Sequence, residues 1–181
     1  MINFLCWNAR SIYTFWALER LINLRKLHNL SMLAIFEPFS NQTQVDFDEM
    51  QLLVNQGHSN PNNKIWLFWT NEVCCNIVES SEQSITCEIS HEECSEKFLM
   101  TFVYAKCKDQ LRRTLWDRLL HFANTDIPRC TIRDFNVITS IEDKLGGMPY
   151  NKNKSFEFFS VIETYGLTDL GYTWILFTWC N

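Results

Sequence analysis

The sequence predicts an α/β chain of the α+β kind, with two mixed sheets packed face to face and helices on the outside. Three observations carry this. A strand–helix–strand unit opens the chain, closely spaced extended segments fill residues 64–104, and helical periodicity returns from Asp109. No repeat recurs at the fixed periods of solenoids or propellers.

The elements follow in order. Ile2, Phe4 and Cys6 alternate in a first strand that ends at Trp7-Asn8. Leu18, Leu21, Ile22 and Arg25 have helical spacing, with Thr14 as the N-cap. Ser31–Phe36 is a compact apolar strand ending at Glu37, and Pro38 forces a turn after it. Asp46-Phe47-Asp48-Glu49 has the form of a capping box opening a helix, and Asn55–Asn63 is a polar loop. Lys64–Thr70, Val73–Val78, Ser84–Ile89 and Phe98–Tyr104 are antiparallel strands. Leu111, Leu115, Leu119 and Phe122 mark a helix over Asp109–Phe122, and Cys130–Arg133 is the next strand. Gly146-Gly147 and Pro149 mark an irregular loop. A helix over Ser155–Tyr165 turns Phe156, Phe159 and Ile162 inward, and Leu167–Leu170 and Ile175–Cys180 close the chain as strands.

Length and composition bound the function. The 181 residues suit one domain, and 46% hydrophobic content supplies a thick core. A net charge of −5 excludes a broad electrostatic footprint on nucleic acid, but not a nuclease, whose carboxylates gather around a cation. Eight cysteines without a basic, apolar leader read as reduced thiols in a soluble, intracellular protein. Cys87, His91 and Cys94, with Cys74-Cys75 upstream, lack the paired spacing of a zinc site. No apolar run is long enough to span a bilayer.

The chemistry concentrates at strand exits. An extended backbone alternates its side chains, so Asp134 and Asn136 would share one face, an acceptor beside a neutral donor. Asn8 and Glu37 stand at two further exits. Each is an ordinary turn residue alone, and the four together point to a shared site.

Cys6-Trp7-Asn8-Ala9-Arg10, Ala34-Ile35-Phe36-Glu37-Pro38, Thr101-Phe102-Val103-Tyr104-Ala105-Lys106-Cys107 and Asp134-Phe135-Asn136 appear in that order. With Lys64–Trp69, Leu115-Trp116-Asp117, Glu142–Gly147 and Phe177–Asn181, they resemble the endonuclease/exonuclease/phosphatase superfamily. The likeness is to the endonuclease domain of plant LINE-type (non-LTR) retrotransposons, and it spans residues 1–181. It implies a four-layered sandwich, Mg²⁺ (with Mn²⁺ as substitute) and cleavage of phosphodiester bonds in DNA. By that resemblance Asn8 and Glu37 hold the metal, Asp134 orients or activates water, Asn136 donates to the phosphate and Tyr104 lies beside it. Phe177 and Trp179 match aromatics that in relatives line the nucleic-acid surface, with core packing of a strand as the alternative. A retroelement origin implies a nuclear location and weak, non-specific DNA binding.

Two departures qualify the activity. Arg133 replaces the Gly that normally precedes the acid, adding bulk and fixed positive charge beside Asp134. Relatives continue with a further strand and a Ser-Asp-His motif, and none of the four histidines here (His28, His58, His91, His121) matches its position. The expectation is a domain truncated at its C-terminus, lacking terminal strands and weakly active or inactive as this chain. A catalytically dead remnant or a weak nucleic-acid-binding module are the alternative readings.

Overall fold

The computed structural model describes residues 2–10, 12, 15–38, 54–92, 94–138 and 153–171. The helix expected from Asp46, the Gly146-Gly147 loop and the strand over Ile175–Cys180 lie outside them, as does the Thr14 cap. The elements are β1 (Phe4–Asn8), α1 (Phe15–His28), β2 (Met32–Phe36), β3 (Gln56–Ser59), β4 (Ile65–Trp69) and β5 (Cys74–Ser80). Then come β6 (Ser84–Ser90), β7 (Phe98–Tyr104), α2 (Asp109–His121), β8 (Arg129–Asp134) and α3 (Asn153–Tyr165). The fold is α+β, as expected. These elements fall in two compact units, Met1–Ala105 with Asp126–Asp134, and Lys106–Thr125 with Phe135–Asn181.

The first unit holds two mixed four-stranded sheets, ordered β1-β2-β4-β3 and β5-β6-β7-β8. In one, β1 runs parallel to β2, with Asn8 opposite Phe36, and β2 runs antiparallel to β4. In the other, β7 runs parallel to β8, with Tyr104 opposite Asp134. Burial explains the composition of the strands. Met32–Phe36 and Ile65–Trp69 are buried at every position, so both read as continuous apolar runs. Edge strand β5 alternates exposed and half-buried residues.

Met32, Ala34, Phe36, Leu67 and Trp69 from one sheet pack against Ile85, Cys87, Ile89, Met100 and Phe102 from the other. Each fully buried Met, Leu, Ile or Phe side chain here contributes about 1.5–3 kcal/mol. A second cluster sets Leu18, Leu21 and Ile22 of α1 against Leu33, Ile35, Trp66 and Phe68, on the opposite face of the first sheet. Asn3 caps the far end, donating its side-chain amide to the carbonyl of His28 (3.1 Å).

The second unit packs α2 and α3. Trp116, Phe135 and Phe158 form a ring cluster with centroids 5.0–5.9 Å apart. Buried Arg112 donates to the carbonyls of Lys106, Cys107 and Asn136 and to the Asp109 carboxylate. A cation held by three carbonyls and a carboxylate is the kind of satisfied burial that a charge requires.

The structure corrects four details. The polar stretch 55–63 contains β3, an edge strand whose polar side chains suit its exposure and whose Gln56 accepts from the Trp69 indole (3.1 Å). In α3 the inward face is Ser155, Phe158, Val161 and Tyr165, whereas Phe156 is 74% exposed and Phe159 is also exposed. Phenylalanines at 156, 158 and 159 give no unique stripe, and Ser155 can face inward because its hydroxyl donates to the Ile138 carbonyl (2.7 Å). Leu111 faces outward, with Arg112 and Trp116 taking the buried side of α2. Leu167–Leu170 carries no strand pairing, and Leu170 is exposed.

Among the described residues, no helix is long and apolar enough to cross a membrane. The seven described cysteines are free thiols.

Two predictions follow from this packing. Buried Asn60 donates to the Ser81 carbonyl (2.9 Å) and accepts from the amides of Lys64 (2.8 Å) and Ile65 (2.9 Å). Asn60→Ala leaves those groups unpaired and is expected to lower stability by about 1–3 kcal/mol in urea unfolding. Cys6 on β1 is held well above its ordinary value of 9.0, at about 12, by burial and then by the nearby Cys130 thiol. Between those values the unfolded chain releases a proton that the folded chain keeps. Stability present below pH 9.0 is therefore lost as pH rises toward 12, by up to about 1.4 kcal/mol per pH unit. Unfolding of Cys6→Ala across that range is expected to show a shallower fall than the parent.

Candidate active site

Parallel pairing decides where the polar exits go. Because β1 and β2 run the same way, Asn8 at the end of β1 and Glu37 just past β2 emerge together. The amide of Ala9 bonds the Phe36 carbonyl (3.0 Å), and that of Glu37 bonds the Lys64 carbonyl (3.0 Å), fixing both exits. In the other sheet Tyr104 and Asp134 are partners at the ends of β7 and β8, and the Ala105 amide bonds the Asp134 carbonyl (2.8 Å).

The sheets join across this rim. The Asn8 amide donates to Asp134 Oδ2 at 3.3 Å, and the Tyr104 hydroxyl donates to Glu37 Oε1. The rings of Phe36 and Tyr104 stack below, with centroids 6.3 Å apart and planes at 21°. Three polar strand exits read from the sequence, with Tyr104 from the resemblance, thus meet as two hydrogen-bonded pairs, a quartet at four strand ends. The rim continues along the sheets through Asn60 to Ser81, Asn62 to the Glu82 carbonyl (2.8 Å) and His58 to Ser80 (3.0 Å).

The backbone is unusual here. Glu37 and Arg10 take left-handed conformations (φ 50° and 49°). Asn29 and Asn63 do so too, but asparagine tolerates that region. For Glu and Arg it costs roughly 1–2 kcal/mol each, and such strain gathers at functional sites.

Asn136 departs from the expected geometry. β8 ends at Asp134, and Asn136 has φ 50°, so the alternation that would align the two side chains stops between them. Asn136 belongs to the second unit, where its carbonyl accepts from Arg112 (3.2 Å). Phe177 and Trp179 lie outside the described residues, as does the side chain of Arg133. None of the histidines joins the quartet. His28 ends α1, His91 follows β6, His121 ends α2, and half-buried His58 bonds Ser80, with burial lowering its pKa. Sequence reading missed Arg112, an arginine on the apolar side of a helix, and the Phe36 ring beneath Tyr104.

The donor set suits a hard divalent cation. Glu37 and Asp134 supply carboxylate oxygens, and Asn8 keeps its amide carbonyl while its nitrogen donates to Asp134. Mg²⁺ characteristically takes one or two carboxylates and retains waters, so a larger cage is not needed. Among the described residues no group of three or more His, Cys, Asp or Glu side chains gathers around a metal position.

No protein-family model matches the chain, and no curated protein sequence matches it. Solved structures do. The endonuclease domain of TRAS1, a telomere-specific non-LTR retrotransposon, superposes with a TM-score of 0.67 at 11% identity, over 95% of this chain and 76% of that one. The AP endonuclease LMAP from Leishmania major gives 0.62 at 12% identity, over 91% of this chain and 66% of that one. The human Nocturnin catalytic domain with bound sulfate gives 0.53 at 15% identity, over 77% of this chain. The chain spans 66% of that structure's length. All three share the endonuclease/exonuclease/phosphatase type of fold, and this chain has it too.

Removing the bond that joins the two sheets at Glu37 is the direct check on the quartet. Tyr104→Phe keeps the ring stack and deletes the donor, and thermal unfolding is expected to show a loss of about 1–3 kcal/mol.

Proposed function

We propose that residues 1–181 form one domain that acts as a metal-dependent phosphodiester hydrolase on DNA, of non-LTR retrotransposon type and akin to plant LINE elements. The observation that supports it is the quartet: two carboxylates, an amide and a phenol brought from four strand ends to one rim. A nuclear location accompanies this reading.

Glu37 and Asn8 would hold Mg²⁺ or Mn²⁺, which when bound offsets negative charge on the phosphate. The chain's own groups divide the remaining work. The Asn8 amide fixes the Asp134 carboxylate by hydrogen bonding one of its oxygens. Asp134 uses its remaining acceptor capacity to orient the attacking water and take its proton. Tyr104 is held at the rim by Glu37 and the Phe36 stack, and its phenol would hydrogen-bond a phosphate oxygen by turning its one proton from Glu37 to the substrate. The resemblance in sequence assigns Asn136 as a neutral donor to the phosphate. Each such donor to a developing anion is worth about 10²–10³ in rate.

No histidine stands in the quartet, so an imidazole's contribution of about 10²–10⁴-fold is missing and slow cleavage is expected. DNA affinity should be weak, given the net charge of −5.

Plasmid nicking with Mg²⁺ or Mn²⁺ tests the assignment. Slow nicking by the parent should fall at least about 100-fold in Asp134→Ala and Glu37→Gln. Equal rates in all three proteins would refute the roles given to both carboxylates.

A further inference from the structure

A pair of large aromatic side chains stands uncovered at the start of α1. Phe15 and Trp16, the first two residues of α1, are 73% and 76% exposed, and their rings meet edge to face at 5.6 Å. Exposing two such rings side by side forgoes substantial burial, which marks the patch as a contact surface.

Topology puts this pair at the rim of the quartet. β1 rises to Asn8, and α1 runs back along the first sheet to His28, which is tied to Asn3 at the opposite end. The turn is anchored beside Glu37. Ala9 bonds the Phe36 carbonyl, and the Ile12 amide bonds the Pro38 carbonyl (3.2 Å). Phe15 follows Ile12 by three residues, a reach of at most about 10 Å.

The charges nearby favour an anionic strand. Exposed Arg10 lies in the same turn, and exposed Arg20 shares a helix face with Trp16 at i+4. Exposed Glu19 is the acid within that stretch, and no acidic residue stands in the first turn of α1.

We propose that Phe15 and Trp16 form a stacking platform for an unpaired base of the DNA strand whose phosphate lies at the quartet. This deepens the phosphodiesterase reading and rests on it. Unpaired bases suit the patch because any base offers a π-face, so stacking adds affinity without reading sequence. The adjacent guanidinium groups supply backbone contact. The chain would then prefer frayed, gapped or single-stranded DNA over continuous duplex.

The test is anisotropy of a labelled single-stranded oligonucleotide and its duplex form, with divalent metal chelated so that nothing is cleaved. Trp16→Ala is expected to weaken single-strand binding about five- to a hundredfold, with a smaller effect on duplex. Trp16→Phe should retain most of the affinity, whereas Trp16→Leu, apolar but without a π-face, should not. Both positions are exposed, so the variants should melt like the parent.

A parent without measurable single-strand affinity, an unchanged Trp16→Ala, or a Trp16→Leu as tight as the parent would overturn the platform. The last outcome would mark the patch as a site for an apolar protein surface. The two readings separate cleanly. Failure to nick plasmid with the binding series intact refutes the hydrolase alone, and metal-dependent nicking with a flat binding series refutes the platform alone.

Discussion

Everything at the rim depends on one constraint, the parallel pairing of β1 with β2 and of β7 with β8. Parallel neighbours must return through a crossover, so their C-terminal ends emerge side by side. Setting two such pairs face to face brings four polar exits within hydrogen-bond reach, above an apolar core. The bonds from Asn8 to Asp134 and from Tyr104 to Glu37 are what that arrangement permits. They also stitch the sheets together at a place where the core ends, so the same contacts serve cohesion and, on the proposed reading, chemistry.

The core sets the precision of the rim. The Phe36 and Tyr104 rings lie one layer beneath the quartet and continue the apolar packing of Met100, Phe102 and Leu67. A displacement in that layer would be felt at the carboxylates, because close-packed interiors transmit strain. The polar rungs farther along, from Asn60 and His58, brace the opposite flank of the rim. Positions far from the quartet can therefore influence it through the alignment of the sheets alone.

Much of this was legible in the chain. Alternation and apolar runs gave the strands from β4 to β7 nearly residue for residue, because buried strands leave a strong local pattern. Asn8, Glu37 and Asp134 were visible as polar residues terminating apolar runs, and Tyr104 through resemblance. What the sequence could not convey was pairing across space. Nothing local to Tyr104 says that its hydroxyl will find Glu37. The buried role of Arg112 was hidden because a charged residue in a helix normally signals its solvent face. The inward face of α3 was lost among adjacent phenylalanines. The uncovered state of Phe15 and Trp16 depended on the phase of α1, which Leu18, Leu21 and Ile22 fix only once their sheet is in place.

The left-handed backbone at Glu37 has an evolutionary consequence. Glycine would occupy that conformation without strain and asparagine with little, so drift toward a sturdier fold runs through substitutions that remove the carboxylate. The side chain that the proposed chemistry needs is the one that the backbone disfavours. A glutamate kept at this corner in related chains would therefore record selection on the proposed activity. In lineages freed from that selection, position 37 should be among the first of the quartet to decay.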